Sequence, residues 1–267
     1  MTVSRSSRVS LDEVSYRIAD GVATVEIHKP PHNFLAPRLV SQIADAYGAI
    51  ENDALARVIV LCSEGKNFCG GGDFSNAEGN ASIRPKATTE PHLYDEAVRL
   101  FDGSKPVVAA IQGAAVGGGL GLAMTADFRI GTPSSRFSAN FARLGFHHGF
   151  GLTYTLPLVI GSQRALELLY TGRRIRGDEA LTMGLVDRLV TDGEERDAAL
   201  GLASEIAASA PLAVQSIRRT MRRGSAGAFK AATDWEKVEQ LRLAATEDWV
   251  EGVRAMAERR VPEFRGV

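Results

Sequence analysis

The chain has 267 residues, 45% hydrophobic and 24% charged, with 31 basic against 32 acidic side chains and a formal net charge of -1. That is the composition of a soluble globular protein with enough residues for one large core or two small ones. The balanced charge excludes a bulk basic field for nucleic acid, and the two cysteines, Cys62 and Cys69, are too few for a disulfide framework, which points to a reducing cytoplasm.

Residues 1–12 are polar and expected to fray, with no apolar stretch after Arg5 and Arg8 to make a secretory signal. Residues 14–18 and 22–28 alternate apolar and polar side chains around Asp20-Gly21, a hairpin pattern. Pro30-Pro31-His32-Asn33 is a turn. Leu39, Ile43, Ala46, Tyr47 and Ile50 recur at helical spacing and predict a helix over 35–52. A strand over 57–62 runs into Asn67-Phe-Cys-Gly-Gly-Gly-Asp73. Residues 74–93, rich in Asn, Gly, Ser, Thr and Pro, read as a mobile loop. A strand over 106–111 leads into Gly113-Ala-Ala-Val-Gly-Gly-Gly-Leu120, then a short helix and a strand over 127–130. This alternation argues for an α/β fold with a largely parallel sheet. From about residue 152 the chain reads as helical, with helices around 163–170, 194–208, 211–223 and 228–258 and no matching strands. The expected division is a core over 1–200 and a helical region over 201–267.

Residues 106–126 carry no charge and are long enough to span a bilayer, with glycines at 113, 117 and 121 in a membrane-packing pattern. Five glycines at roughly 1 kcal/mol each in a helix interior favour strand, turn and short helix instead, and no membrane span is expected.

The two glycine clusters carry the chemistry. Each follows a buried strand, and glycine lets a ligand approach the main chain closely. A helix beginning near Gly118 has unpaired N–H groups at its positive end. The N–H of Gly70 offers the same service from the first cluster, and two such donors on one oxygen make an oxyanion hole.

Phe68-Cys-Gly-Gly-Gly-Asp73 resembles the Phe-Ser-Ala-Gly-Ala-Asp motif of the crotonase (enoyl-CoA hydratase/isomerase) superfamily, and residues 109–120 are similar to its second oxyanion segment. Pro31-His-Asn33, Phe137 with Leu144-Gly145, Gly184-Leu-Val-Asp187 and Arg259-Arg-Val-Pro-Glu-Phe264 match in order. The resemblance implies an α/β spiral of ββα units with a C-terminal helical trimerisation region. It implies a homotrimer or dimer of trimers acting on an acyl-CoA thioester, with coenzyme A part of the substrate and no separate cofactor or metal. It carries Gly70 and Gly118 over as the oxyanion donors, with Phe68, Gly71, Asp73 and Gly117 beside them. Lys29 and Asn33, with the loop after Gly70, fall near the pantetheine and adenine, and Arg260 and Phe264 near the nucleotide end.

The departures from the family are as informative as the matches. Its two catalytic glutamates fall on Gly121 and Phe141, and an aspartate that some relatives use falls on Gly149. None of the three residues moves a proton. His147 and His148 stand in the loop that resembles the acyl-pocket lining, and a histidine titrating near neutrality is a candidate base. Phe34, Phe141, Phe146 and Phe150 are candidates for an apolar acyl pocket. His92 reads as a helix start, Tyr94 as a partly buried ring, Asp73 as a brace and Cys69 as a small filler. Arg218, Arg219, Arg222 and Arg223 read as a solvated basic face. The expected function is an acyl-CoA enzyme of the enoyl-CoA hydratase/isomerase type. The alternatives are thioester hydrolysis or other enolate chemistry through His147 or His148, and a non-catalytic acyl-CoA binder.

Overall fold

The computed structural model describes residues 8–74 and 92–267. The loop expected over 74–93 therefore falls almost wholly outside the described residues. A short strand β1 (Val9–Ser10) precedes the expected hairpin of β2 (Val14–Ala19) and β3 (Val22–Ile27), which turns at Asp20 and Gly21, both with positive φ. There follow α1 (Pro37–Glu51), β4 (Val58–Ser63), α2 (Leu93–Arg99), β5 (Val107–Ala110), β6 (Ala114–Val116), α3 (Gly118–Thr125), β7 (Phe128–Gly131) and β8 (Arg136–Ser138). A 3-10 turn (Asn140–Leu144) leads to α4 (Leu152–Ile160), α5 (Ser162–Thr171), β9 (Ile175–Arg176), α6 (Gly177–Met183) and β10 (Arg188–Leu189). Four helices close the chain: α7 (Glu195–Ala207), α8 (Pro211–Met221), α9 (Ser225–Leu243) and α10 (Glu247–Glu258).

Seven strands form one sheet in the order β1-β2-β3-β4-β5-β7-β10, antiparallel as far as β3 and parallel beyond it. A second layer holds β6, β8 and β9 and is continued by isolated bridges, Cys69 to Ala115 and Leu35 to Gly72. The pattern is a spiral. A large-sheet strand (β3, β4, β5, β7) is followed by a short extended segment in the second layer (Leu35, Cys69–Gly72, β6, β8) and then by a helix.

Every residue of β4 is buried because the sheet is covered on both faces. Its side chains alternate between two cores. Val58, Val60 and Cys62 meet Ala199, Leu202 and Ala203 of α7, whereas Ile59 and Leu61 join the larger core beneath the second layer. Each such aliphatic side chain contributes about 1.5–3 kcal/mol by leaving water.

The charge-free stretch 106–126 divides into β5, β6 and α3, in line with the expected strand, turn and short helix, and among the described residues no single helix is long and apolar enough to cross a membrane. Other expectations are corrected. The helical second half contains two short strands, β9 and β10. The helix expected over 228–258 is two helices, because the Thr246 hydroxyl accepts from the Trp249 N–H (3.2 Å) and starts α10 afresh. Residue 200, where the expected division falls, lies inside α7, which packs on the sheet. Arg218 and Arg222 are not a solvated face. Asp127 accepts from both at 2.8 Å, the Arg222 guanidinium lies 5.2 Å from the Phe101 ring, and only Arg219 and Arg223 stay exposed.

Candidate active site

Both glycine clusters lie in the second layer, on adjacent turns of the spiral. Two buried asparagines hold the approaches. Asn33, at φ 51°, donates from Nδ2 to the carbonyls of Glu64 (2.8 Å) and Asn67 (2.7 Å), and its Oδ1 accepts from the Lys29 N–H (3.1 Å). Asn67 Oδ1 accepts from the Ala114 N–H at 3.2 Å, tying the first loop to the second. Asn33 is therefore a staple and leaves no group for a ligand. Phe68 is fully buried and supports the loop from below, with its N–H donated to Gln112.

The glycines let the two loops touch backbone to backbone. A Cβ on Gly119 would stand 2.2 Å from the Cys69 carbonyl oxygen, and one on Gly71, which sits at φ +83°, would stand 2.5 Å from that of Val116 and 3.4 Å from the Gly118 nitrogen. Close approach fixes which N–H groups remain unspent. Gly70, the expected donor, is committed to the His32 carbonyl at 2.8 Å. The Gly71 carbonyl accepts from the Leu35 N–H at 2.8 Å. Across a trans peptide the next N–H points the opposite way, so the Gly72 N–H faces away from Leu35. Gly118 is the first residue of α3, where an N–H has no helical partner. Among the described residues neither the Gly72 nor the Gly118 N–H has a hydrogen-bond partner.

Aromatic rings lie near this pair, with the Leu35 side chain against Gly118. The Phe74 ring lies 3.0 Å from a Cβ position on Gly72, and Phe141 Cζ lies 3.7 Å from that on Gly117. Behind them stand Phe146 and Trp249, both buried. Phe34 covers Gly70, with its ring 2.9 Å from that glycine's Cβ position, and lies tilted against His32. No side chain larger than hydrogen fits at position 121, where an added Cβ would stand 2.5 Å from Phe150 Cβ. The volume that a glutamate would need there is already filled. Gly149 is likewise a packing position, its Cβ site only 1.8 Å from the Tyr94 hydroxyl.

The two histidines have assignable tautomers. His147 Nδ1 lies 2.7 Å from the His148 carbonyl, so it carries the proton and leaves Nε2 free to accept. His148 Nε2 lies 2.8 Å from Thr153 Oγ1, whose own proton goes to Glu236 Oε1 at 2.6 Å, so His148 donates from Nε2. Burial, aided by the neighbouring His147, pushes the His148 pKa down to about 3. His148 does not titrate near neutrality, contrary to the expectation that made it a candidate base.

Glu236 also accepts from the Gly151 (2.7 Å) and Thr153 (2.9 Å) N–H groups at the start of α4. Burial pushes its pKa up to about 7, against three hydrogen bonds that favour the ionised form. Tyr94 donates to Gln240 (2.8 Å) within the core, and His92 caps α2 through Nδ1. Burial raises the Cys69 thiol to about 12, which fits a filler and not a nucleophile.

Residues 17–267 match the family model described as enoyl-CoA hydratase/isomerase. The chain belongs to the enoyl-CoA hydratase/isomerase family. It is 32% identical over 260 residues to a probable enoyl-CoA hydratase of Bacillus subtilis, covering 96% of this chain and 100% of the relative. It is 32% identical over 264 residues to the (E)-benzylidenesuccinyl-CoA hydratase of Thauera aromatica, covering 95% and 99%. The crystal structure of an enoyl-CoA hydratase/isomerase from Pseudoalteromonas atlantica superposes with a TM-score of 0.86 at 26% identity, covering 95% of this chain and 100% of that one. The spiral fold expected from the sequence is thus the fold of this enoyl-CoA hydratase/isomerase family member.

Within this family member, residues expected at the coenzyme end are occupied inside the chain. Lys29 pairs with Glu13 at 2.8 Å, and Arg260 is held by Glu251 and Glu258. Phe264 is partly exposed in the C-terminal tail. Asp73 is half-buried next to Gly72. Sequence reasoning alone does not find Gly72, Phe74, Trp249 and Glu236. Phe74 is within its reach, since it directly follows the first motif. Trp249 and Glu236 reach the site only through the packing of the last two helices.

Proposed function

We propose that this chain binds an acyl-CoA thioester and polarises its carbonyl between the N–H groups of Gly72 and Gly118. The observation that carries the reading is that these two donors are unspent and stand on loops in direct contact. Two preorganised donors on a thioester oxygen stabilise negative charge there, which acidifies the α-carbon and favours attack at the β or carbonyl carbon. The relatives named above are a probable enoyl-CoA hydratase and an (E)-benzylidenesuccinyl-CoA hydratase, which supports the substrate class. With Gly121 and Phe141 at the positions expected for carboxylates, the proton must move elsewhere. His147, with Nε2 free, is the proposed base.

The test separates the N–H from the added bulk. Gly118→Ala keeps the donor, and its Cβ crowds the end of the Leu35 side chain, at 2.7 Å, with Phe150 at an ordinary 3.7 Å. Gly118→Pro removes the donor at a first-turn position where proline suits a helix. The infrared stretch of a carbonyl-labelled acyl-CoA is expected to fall on binding to the parent and Gly118→Ala proteins and to fall by clearly less with Gly118→Pro, where only the Gly72 donor remains. Turnover should drop by roughly 100-fold or more in the proline variant. An unchanged stretch in the parent protein would refute the reading.

The reaction itself is read by mass spectrometry on enoyl- and acyl-CoAs. Water addition marks a hydratase, and CoA release lost in His147→Gln marks a hydrolase. Binding without turnover marks the non-catalytic reading, which Phe141 and the filled space at Gly121 favour. Assembly as a trimer or dimer of trimers is part of the same proposal. It is supported by exposed apolar side chains on the last three helices, among them Ile217, Met221, Trp235, Val238 and Val250.

A further inference from the structure

Beside the two unspent N–H groups, Phe74 stands against Gly72 and Phe141 against Gly117, with the Leu35 side chain against Gly118. Phe141 and Phe146 lie with ring centroids 5.4 Å apart at 61°, and Phe146 and Trp249 4.4 Å apart at 69°. Phe74 meets Phe146 at 5.9 Å and 78° and Trp249 at 5.5 Å and 83°. All four contacts are edge to face, so each ring offers either a positive edge or a negative face to its neighbour. Phe74 is half-buried and the other three rings are buried.

Orientation follows from charge. The nucleotide of coenzyme A carries phosphates that need water, and the exposed side of the first loop is the side of His32 and half-buried Phe34. A thioester whose oxygen sits between Gly72 and Gly118 must send its sulfur that way and its acyl group toward the four rings. Resting on the acyl-CoA reading above, we infer that this site selects aryl-bearing acyl groups over aliphatic ones of the same size. An alkyl chain gains from this wall only by leaving water. A planar ring gains the same and adds edge-to-face contacts with Phe74 and Phe146, together giving roughly a tenfold preference.

The experiment compares two CoA esters of matched size, 3-phenylpropanoyl-CoA and 3-cyclohexylpropanoyl-CoA, with acetyl-CoA as a small reference, all titrated by calorimetry onto the full chain. The phenyl ester is expected to bind about tenfold more tightly than the cyclohexyl ester. Phe146→Leu, and independently the milder Phe74→Leu at a half-buried position, should bring that ratio close to one without abolishing binding of the cyclohexyl ester. Equal affinity for the two six-membered rings, or a preference that survives both leucine variants, would overturn the aryl selection while leaving the thioester reading standing. Binding of none of the three esters would overturn both.

Discussion

Position 121 shows how a single side chain can be refused by its surroundings. Gly121 lies in the first turns of α3 with Phe150 laid across it, and Phe150 itself is held at φ 58°, in the left-handed region. Installing a carboxylate with Gly121→Glu should therefore destabilise the fold by about 1–3 kcal/mol through overpacking. Trimming the neighbour relieves the clash. The double variant with Phe150→Ala is expected to be more stable than the sum of the two single changes by about 1–2 kcal/mol. Urea unfolding of the four proteins checks this. Additive losses would mean that Phe150 is not what excludes a side chain from position 121. The same residue scale explains why Gly70 passes for a donor in the sequence. Three consecutive glycines look alike there, and only the pairing of His32 with Gly70 and of Leu35 with Gly71 decides which N–H is left over.

At the level of the element, the segment between the 3-10 turn and α4 is governed by its partners on α9. Glu236 closes the N-terminus of α4, and Gln240 donates to the His147 carbonyl at 2.9 Å. A half-buried histidine and a buried glutamate meet there with opposite linkage. His148, with its pKa lowered to about 3, refuses a proton that the unfolded chain accepts, so stability falls as pH drops from about 6.5 toward 3. Glu236, with its pKa raised to about 7, holds a proton that the unfolded chain has lost, so stability falls as pH rises from about 4.5 toward 7. Between about 4.5 and 6.5 the two offset one another, and below that only the histidine contributes. His148→Gln should therefore retain a larger share of its pH 7 stability at pH 4 than the parent protein does, as read by urea midpoints. A variant with the parent's acid loss would show that His148 is protonated in the folded state. Most elements are legible in the sequence because their patterns are local: two-residue alternation in β2 and β3, helical spacing in α1, a charge-free run into α3. The short strands β9 and β10 carry too few residues for a period. The break before α10 is readable from Thr246 followed by Glu247 and Asp248, a cap with acidic residues in the first turn.

Across the whole molecule, the Asp127 clasp on Arg218 and Arg222 holds α8 against the sheet, while the outward faces of α8, α9 and α10 keep apolar side chains in water. Exposed apolar area on this scale is expected to be covered by further copies of the chain. Light scattering during size-exclusion chromatography should give a mass near three or six times 28.6 kDa, and a monomer at micromolar concentration would count against the proposed assembly. Long-range pairs such as Asp127 with Arg218 leave no trace in sequence, which is why the basic cluster reads as a solvated face.

Glu236 and Trp249 also set an order of events during synthesis. A chain made from its N-terminus at about 5–20 residues per second completes both glycine loops and the Phe150 segment long before α9 and α10 emerge. Until then α4 has no carboxylate at its start, and Phe146 has no indole beside it. The nascent protein thus carries the apolar surface around Phe146 uncovered through the last stage of translation, and that interval is when a holding chaperone has most to offer it.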